Sequence, residues 1–361
     1  MPLVRIVLLF FVCLPGVLAQ PVDLGVNTVT LDTRSQLTEQ QRLDVGIRLF
    51  DAGVPGDVST HSRLGIFPEI RQAEARYMPV NLSTALQDSN AWGVVRVVPE
   101  EAELSELLVE GRIVEATGLR LQLVIAARDA TGRLWFERSY LASTEEGSYP
   151  VPAGGDPFNH LYHQVANDLL EIRDSLSQKA LVEIRRVALL RYAAGLAPEA
   201  FADYLGVDEQ GRYTVLRLPA EGDSMAARIT RIRNQEYLFI DNVDEQYLEL
   251  HREMAHTYDL WRQYDREQAL YRAEYLQRAA NREPHGRKGS YAAMEQAYNA
   301  YRLTRIQEQD LEELALGFNN ETAPTIVETS GRVFRLTGTL DSQYQDWRKI
   351  LQQIFALEVG I

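Results

Sequence analysis

Residues 107–140 read LLVEGRIVEATGLRLQLVIAARDATGRLWFERSY, and this stretch decides the fold. Its apolar residues alternate with polar ones. Leu119, Leu121, Leu123, Ile125 and Ala127 share one face of an extended chain, and Arg120, Gln122 and Arg128 share the other. Val109, Gly111 and Ile113 alternate with Glu110 and Arg112 in the same way. Thr117-Gly118 and Asp129-Ala130-Thr131-Gly132 separate the runs, with glycine supplying positive φ where the chain reverses. The pattern predicts an antiparallel three-strand meander, with Leu134, Phe136 and Tyr140 on one face of its third strand. A slip of one residue would expose the whole apolar row, so the register is firmly set.

Working outward, residues 43–50 (LDVGIRLF) and 92–98 predict two further strands. Between them, 51–62 is rich in Gly, Pro, Asp and Ser and reads as a loop. Pro68 suits the first turn of a helix carrying Ile70, Ala73 and Tyr77, and Pro79 should end or kink it. Residues 100–106 form an acidic helix or loop. After the meander, Asp156 suits an N-cap with Pro157 at the first helical position. Phe158, Leu161, Tyr162, Val165, Leu169, Ile172 and Leu176 then form one apolar stripe. The helical pattern runs on to Gly195, with a break at 175–177. Residues 197–205 suggest a short helix and 213–218 a strand.

A long helix follows, capped by Asp223 or Ser224, with a break at 281–290 and a return helix over 291–316. Residues 325–328 and 332–337 pair as a hairpin around Ser330-Gly331, and 341–357 is a final amphipathic helix. The predicted fold is α+β. It has a mixed sheet with an antiparallel three-strand meander and helices packed on it. A long helical hairpin follows, then a small C-terminal β-hairpin plus helix. The divisions are a signal peptide (1–19), an N-terminal arm (20–42), an α/β domain (43–195), a connector (196–222), the helical hairpin (223–316) and the β-hairpin with its terminal helix (317–361).

The chain starts as an exported protein. Arg5 precedes a short apolar run, and Val17-Leu18-Ala19 suits cleavage before Gln20. Cys13 invites a lipid anchor, but bulky Phe10-Phe11-Val12 before it argues for ordinary cleavage. The mature chain then has no cysteine, so disulfides and thiolate catalysis are excluded, and no later stretch is apolar enough to cross a bilayer as a helix. Removing Arg5 moves the formal charge from −14 to −15, which argues against nonspecific nucleic-acid binding and suits docking on basic partners. Asn81-Leu82-Ser83 and Asn320-Glu321-Thr322 match glycosylation sequons by chance if the protein is bacterial.

Three local patterns, set in the strand-helix-strand order, carry a resemblance. They are Leu108-Val109-Glu110-Gly111-Arg112-Ile113, the turn Arg128-Asp129-Ala130-Thr131-Gly132-Arg133-Leu134-Trp135, and Asp156-Pro157-Phe158. With them, residues from about 43 to 176 resemble the TolB amino-terminal and CsgG-like periplasmic domains, which include the LpoB-type activators of cell-wall synthases. The resemblance implies docking or envelope assembly rather than catalysis, and it brings no catalytic residues. Two departures stand out: a convincing lipid site is lacking, and the chain continues into helices where TolB proteins continue into a β-propeller.

Three groups of residues raise the question of chemistry. His160 and His163 lie three apart on a helix, about 60° apart around it, with Asp156 one turn earlier, a set able to ligate a metal. A solvated helix start with an aromatic-rich face is the preferred reading of them. His251, Glu253 and His256 suggest a zincin helix, but the histidines are five apart, about 140° around the axis, where that chemistry needs four. Gly222-Asp223-Ser224-Met225 resembles a serine-hydrolase block, yet it stands immediately before a long helix, where a capping residue is needed anyway. No phosphate-binding or dinucleotide-binding glycine motif is present. No catalytic residue, metal or cofactor is therefore assigned.

Tyr258, Trp261, Tyr264, Tyr271 and Tyr275 on the long helix, with Trp135 on the meander, form the candidate interaction surface, because such side chains combine apolar area with a polar tip. Packing within the helical hairpin is the alternative, and the preferred one, for the helical residues. The sequence thus predicts a non-enzymatic accessory or scaffold protein of the bacterial envelope, exported to the periplasm, at the outer membrane or free of it. It would dock on envelope proteins or on a second copy of itself, without nucleic acid. A periplasmic metal-dependent or serine hydrolase, and a small-ligand or glycan binder using the Trp135 face, are the alternatives.

Overall fold

The structure is a computed structural model that describes residues 20–61, 66–99, 105–152, 155–220, 222–280, 324–329 and 332–359, with residue 309. The expected signal peptide with Cys13, most of the acidic segment 100–106, the break at 281–290, the return helix at 291–316, Asn320 and the turn Ser330-Gly331 lie outside the described residues.

Six strands build the main sheet: β1 (Val22–Gly25), β2 (Val45–Arg48), β3 (Val95–Val98), β4 (Leu107–Ala116), β5 (Arg120–Asp129) and β6 (Leu134–Ser143). Their spatial order is β1-β6-β5-β4-β2-β3. The meander β4-β5-β6 is antiparallel throughout, while β2 runs parallel to β3 and β4. Strand β1, inside the N-terminal arm, adds itself in parallel to β6.

The alternation of β5 is realised: Leu121, Leu123, Ile125 and Ala127 are buried, and Arg120 and Arg128 are exposed. Two expectations for the meander need correction. Phe136 stands opposite Ala127 but Leu134 opposite Arg128, so Trp135 is an extra residue in β6. This bulge reverses the facing beyond it, and Leu134 turns outward, 43 % exposed. Gly132 does take a positive φ (+87°), whereas Gly118 does not. Gly118 is needed for a different reason, a close backbone approach described below.

Helices α1 (Pro68–Asp88) and α2 (Asn159–Ser175) pack together on one face of the sheet. Met78, Leu82 and Leu86 of α1 and Leu161, Val165 and Leu169 of α2 close the core over Val109, Leu123 and Ile125. Each such buried side chain contributes about 1.5–3 kcal/mol. That explains why Pro79 does not end α1. Burial of Met78, Val80 and Leu82 around it outweighs the roughly 3 kcal/mol that an interior proline costs. The strand expected from residue 92 begins only at Val95, because the Trp92 side chain turns into the core.

Helix α3 (Gln178–Leu196) and the one-turn α4 (Pro198–Phe201) lead into a small hairpin, β7 (Leu205–Val207) and β8 (Tyr213–Val215). Strand β8 stops short of the expected residue 218, where Leu216 donates its N–H to the Tyr204 carbonyl instead. Helix α5 (Ser224–Ala280) has 57 residues and spans about 85 Å at 1.5 Å per residue. The hairpin of β9 (Thr325–Thr329) and β10 (Arg332–Leu336), with helix α6 (Leu340–Val359), packs on its first half. A second core forms there, where Phe239 of α5 stacks against Tyr344 and Trp347 of α6.

Candidate functional site

The long helix is fastened to the body at three places, each through polar side chains. Near its start, the buried Glu236 accepts hydrogen bonds from Tyr192 Oη (2.7 Å) on α3 and Tyr344 Oη (2.6 Å) on α6. Next, α5 covers the outer edge of β3. Arg96 Nε donates to Asp241 (2.5 Å), and the backbone N–H of Val97 donates to Asp244 Oδ1 (2.7 Å). An edge strand's outward N–H has no strand partner, and here a helix carboxylate satisfies it. Burial raises the Asp244 carboxyl to about 6, against the Val97 N–H and the nearby Arg96.

The third place lies where α5 crosses α1 and the β4–β5 turn. Arg262 Nη1 donates to Asp156 Oδ2 (2.8 Å), which also accepts from Asn81 Nδ2 (3.0 Å) on α1. Asn81 Oδ1 lies 2.7 Å from His251 Nε2, whose ring stacks at 4.0 Å on Tyr77. Burial lowers His251 to about 4, so the ring is neutral and Nε2–H donates to Asn81. Alongside, Tyr258 Oη donates to Glu74 (2.7 Å), whose carboxyl burial pushes upward despite Arg71 beside it. At the turn, Gly118 N donates to Asp265 Oδ2 (2.7 Å), and a Cβ on Gly118 would stand 1.9 Å from the Arg262 carbonyl oxygen. Only glycine permits that approach.

These contacts absorb most of the residues that raised the question of chemistry. Asp156 is not the N-cap of α2, which begins at Asn159. Its Oδ1 takes the Phe158 N–H (2.7 Å), and its other oxygen belongs to Arg262 and Asn81. His160 and His163 instead hold the arm, donating to the carbonyls of Gly25 (3.3 Å) and Val29 (2.9 Å). The three residues whose spacing would allow a metal site are therefore divided between two tasks. His251 faces Asn81, while Glu253 and His256 are exposed, as their spacing implied. At the start of α5, Asp223 rather than Ser224 makes the cap, accepting from Met225 N (2.7 Å) and Ala226 N (3.3 Å). No group of three or more ligands suited to a metal occurs among the described residues. Asn81 is a half-buried member of the relay inside α1, so its sequon is not presented for glycosylation.

The candidate interaction residues have diverse fates. Tyr258 and Trp261 are turned inward and pack against α1, with Trp261 edge-on to Phe67 at 5.3 Å. Tyr264 is half-buried. Trp135 is also half-buried, donating Nε1–H to Asp129 (2.8 Å) with its ring 6.3 Å from Trp92. Tyr271 and Tyr275 lie on α5, but their side chains are outside the described residues.

Three sizeable clefts open among the described residues. One of about 600 Å³ lies under the arm. Its charged groups hold that arm: Arg185 donates to the carbonyls of Glu39 (2.9 Å), Gln40 (3.0 Å) and Arg42, and Glu106 accepts from Asp44 N (3.0 Å). The other two adjoin, sharing Arg48 and Glu110 as a common wall. The smaller, about 210 Å³, adds Arg128 and Arg191. The larger, about 580 Å³, lies at the carboxyl end of β2 and adds Arg76, Asp51 and Asp341. Open sheets favour ligands at the carboxyl ends of parallel strands. Sequence reasoning missed this groove. The alternation places Arg48 and Arg128 outward, but nothing local shows that Arg191 and Asp341, far along the chain, join them. Comparison of the chain with protein-family models, curated proteins and solved structures finds no significant match.

Proposed function

We propose that this chain is a non-enzymatic, exported accessory protein of the bacterial cell envelope that acts by docking on envelope proteins. The observation that carries the proposal is the seating of α5. The helix is fastened over much of its length and then runs 14 residues, about 21 Å, past its contact with Gly118 at Arg266. Leu238, Leu260 and Leu270 on the same helix are 62 %, 44 % and 41 % exposed. The commitment of Asp156, His160, His163 and His251 to holding other segments weighs against the metal-hydrolase alternative. The resemblance of the sheet domain to the TolB amino-terminal and CsgG-like domains belongs to this proposal, as do the periplasmic address and the placement of the protein at or near the outer membrane.

The test is affinity capture of the tagged full chain from crosslinked envelopes, read by mass spectrometry against a tag-only control. Reproducible enrichment of one envelope complex is the expected result. Recovery of the bait alone, from a periplasmic fraction that contains it, would remove the docking function.

A further inference from the structure

We propose that Pro79 is a coupling device within α1. By withholding an N–H from the helix, it leaves the Ala75 carbonyl free to hold the chain at the end of β2, so that α1 and the wall of the larger cleft move as one body. The inference is independent of the docking proposal and would survive its failure.

In an uninterrupted helix the N–H of residue 79 would donate to the carbonyl of residue 75. Proline has no N–H, so that carbonyl needs another donor. Helix α1 runs through Pro79 without ending, and the donor comes from outside it. Phe50 N, two residues past the end of β2, donates to the Ala75 carbonyl at 2.9 Å. Both residues are buried. The proline thus opens one acceptor on the buried side of α1, and a backbone donor from a distant part of the chain takes it.

The segment that makes this bond is held on its other side as well. Asp51 N donates to the Gly111 carbonyl on β4 (2.8 Å), and Ile113 N donates back to the Asp51 carbonyl (2.9 Å). The Phe50 ring lies against Gly111, where a Cβ would stand 2.5 Å from ring atom Cδ1. Asp51 Oδ1 accepts from Gly53 N (2.9 Å), which closes the turn. Residues 50–53 are therefore pinned between the sheet and α1, and their backbone bond to α1 is the one that Pro79 makes possible.

That bond stands where two parts of the molecule meet. Phe50, Asp51 and Ala52 line one wall of the larger cleft, and Gln72, Ala75 and Arg76 of α1 line the other. Through His251, α5 grips α1 at Tyr77 and Asn81, on either side of the proline. A shift of α1 beneath α5 carries the Ala75 carbonyl with it and, through Phe50, the opposite wall. Buried backbone groups rarely go unpaired, so the two walls resist separation.

The experiment is hydrogen exchange on the full mature chain, read at single amides by NMR. After correction for intrinsic rates, Phe50 should exchange within about threefold of Leu82 and Leu86 of α1, because one opening event releases them all. In Pro79→Ala the helix supplies its own donor to the Ala75 carbonyl. Phe50 should then exchange about 10-fold faster than Leu82 and Leu86, with Leu123 of β5 unchanged. An α-hydroxy acid in place of Pro79 lacks both the ring and the N–H, and it should keep Phe50 slow. That variant separates the missing donor from the ring. Three results would each overturn the proposal: Phe50 already about 10-fold faster than Leu82 in the natural chain, Phe50 unchanged or faster only in step with Leu123 in Pro79→Ala, or equal acceleration by the α-hydroxy acid.

Discussion

Arg262 on α5 donates through Nη1 to Oδ2 of Asp156 at 2.8 Å, and neither side chain is more than 4 % exposed. The two residues are 106 positions apart, and their pairing joins the long helix to the loop that opens α2. A buried pair of this kind adds little net stability against an apolar replacement, but removal of one partner leaves an uncompensated charge. Arg262→Met should therefore lower the unfolding free energy by about 3–5 kcal/mol in urea titrations. The pairing of Arg262→Met with Asp156→Asn should cost less than the sum of the two single changes, as a double-mutant cycle would measure. Strict additivity would show that the two side chains do not act together.

Gly118→Ala should loosen the far part of the docked helix. The new Cβ would stand 1.9 Å from the Arg262 carbonyl oxygen and 2.6 Å from the Arg266 nitrogen, both backbone atoms that have to move. Overpacking of this kind costs about 1–3 kcal/mol. Hydrogen exchange should accelerate at residues 262–267 and at 118, with little change at Phe239. Unchanged exchange at 262–267 would mean that α5 does not rest on the turn.

Asp244 should make stability fall with rising pH. Its carboxyl is raised from 3.8 to about 6 in the fold, chiefly by burial, so its contribution is fully present below about pH 4 and is lost as pH rises through 6. Asp244→Asn keeps an acceptor for the Val97 N–H and carries no charge. It should remove that slope and raise stability at pH 8 by about 1–3 kcal/mol. Asp244→Ala should instead lower stability at low pH, because the Val97 N–H loses its partner. Chemical denaturation across pH 4–8 reads both outcomes.

His251 should act in the opposite direction. It falls from 6.5 to about 4, chiefly by burial, so its stabilising neutral form holds above about pH 6.5 and its contribution is lost as pH falls toward 4. His251→Gln retains a donor for Asn81 without a titration and should flatten the acid side of the stability profile. Since His251 and Asp244 oppose one another between pH 4 and 6.5, the two single variants separate them. A profile for His251→Gln identical to wild type would show that the ring is not held neutral.

The parts of the fold legible in the sequence were those written in local periodicity. Leu121, Leu123, Ile125 and Ala127 declare their face within one strand, and the hairpins and long helices announce themselves the same way. What stayed hidden depends on contacts between distant segments. Asp156 looked like a helix cap because its neighbours allow one, and Arg262 claims it from 106 residues away. Gly118 looked like a turn glycine, when it is the backbone of α5 that requires it. Trp135 concealed a bulge, since an extra residue leaves no mark in an alternating pattern until the register is known. The groove was illegible for the same reason, since Arg48 on β2 and Arg191 on α3 stand 143 positions apart in the chain.

The central claim is that the chain works by presenting α5 to an envelope partner. The most direct measurement is photo-crosslinking in living cells with a photoreactive residue placed singly at Leu260, Leu270 or Arg112, all on the full chain. Leu260 and Leu270 are exposed on the helix, and Arg112 is exposed on the sheet. One discrete adduct with an envelope protein is expected from the helix positions and none from Arg112. No adduct from either helix position, or the same adducts from all three, would contradict it.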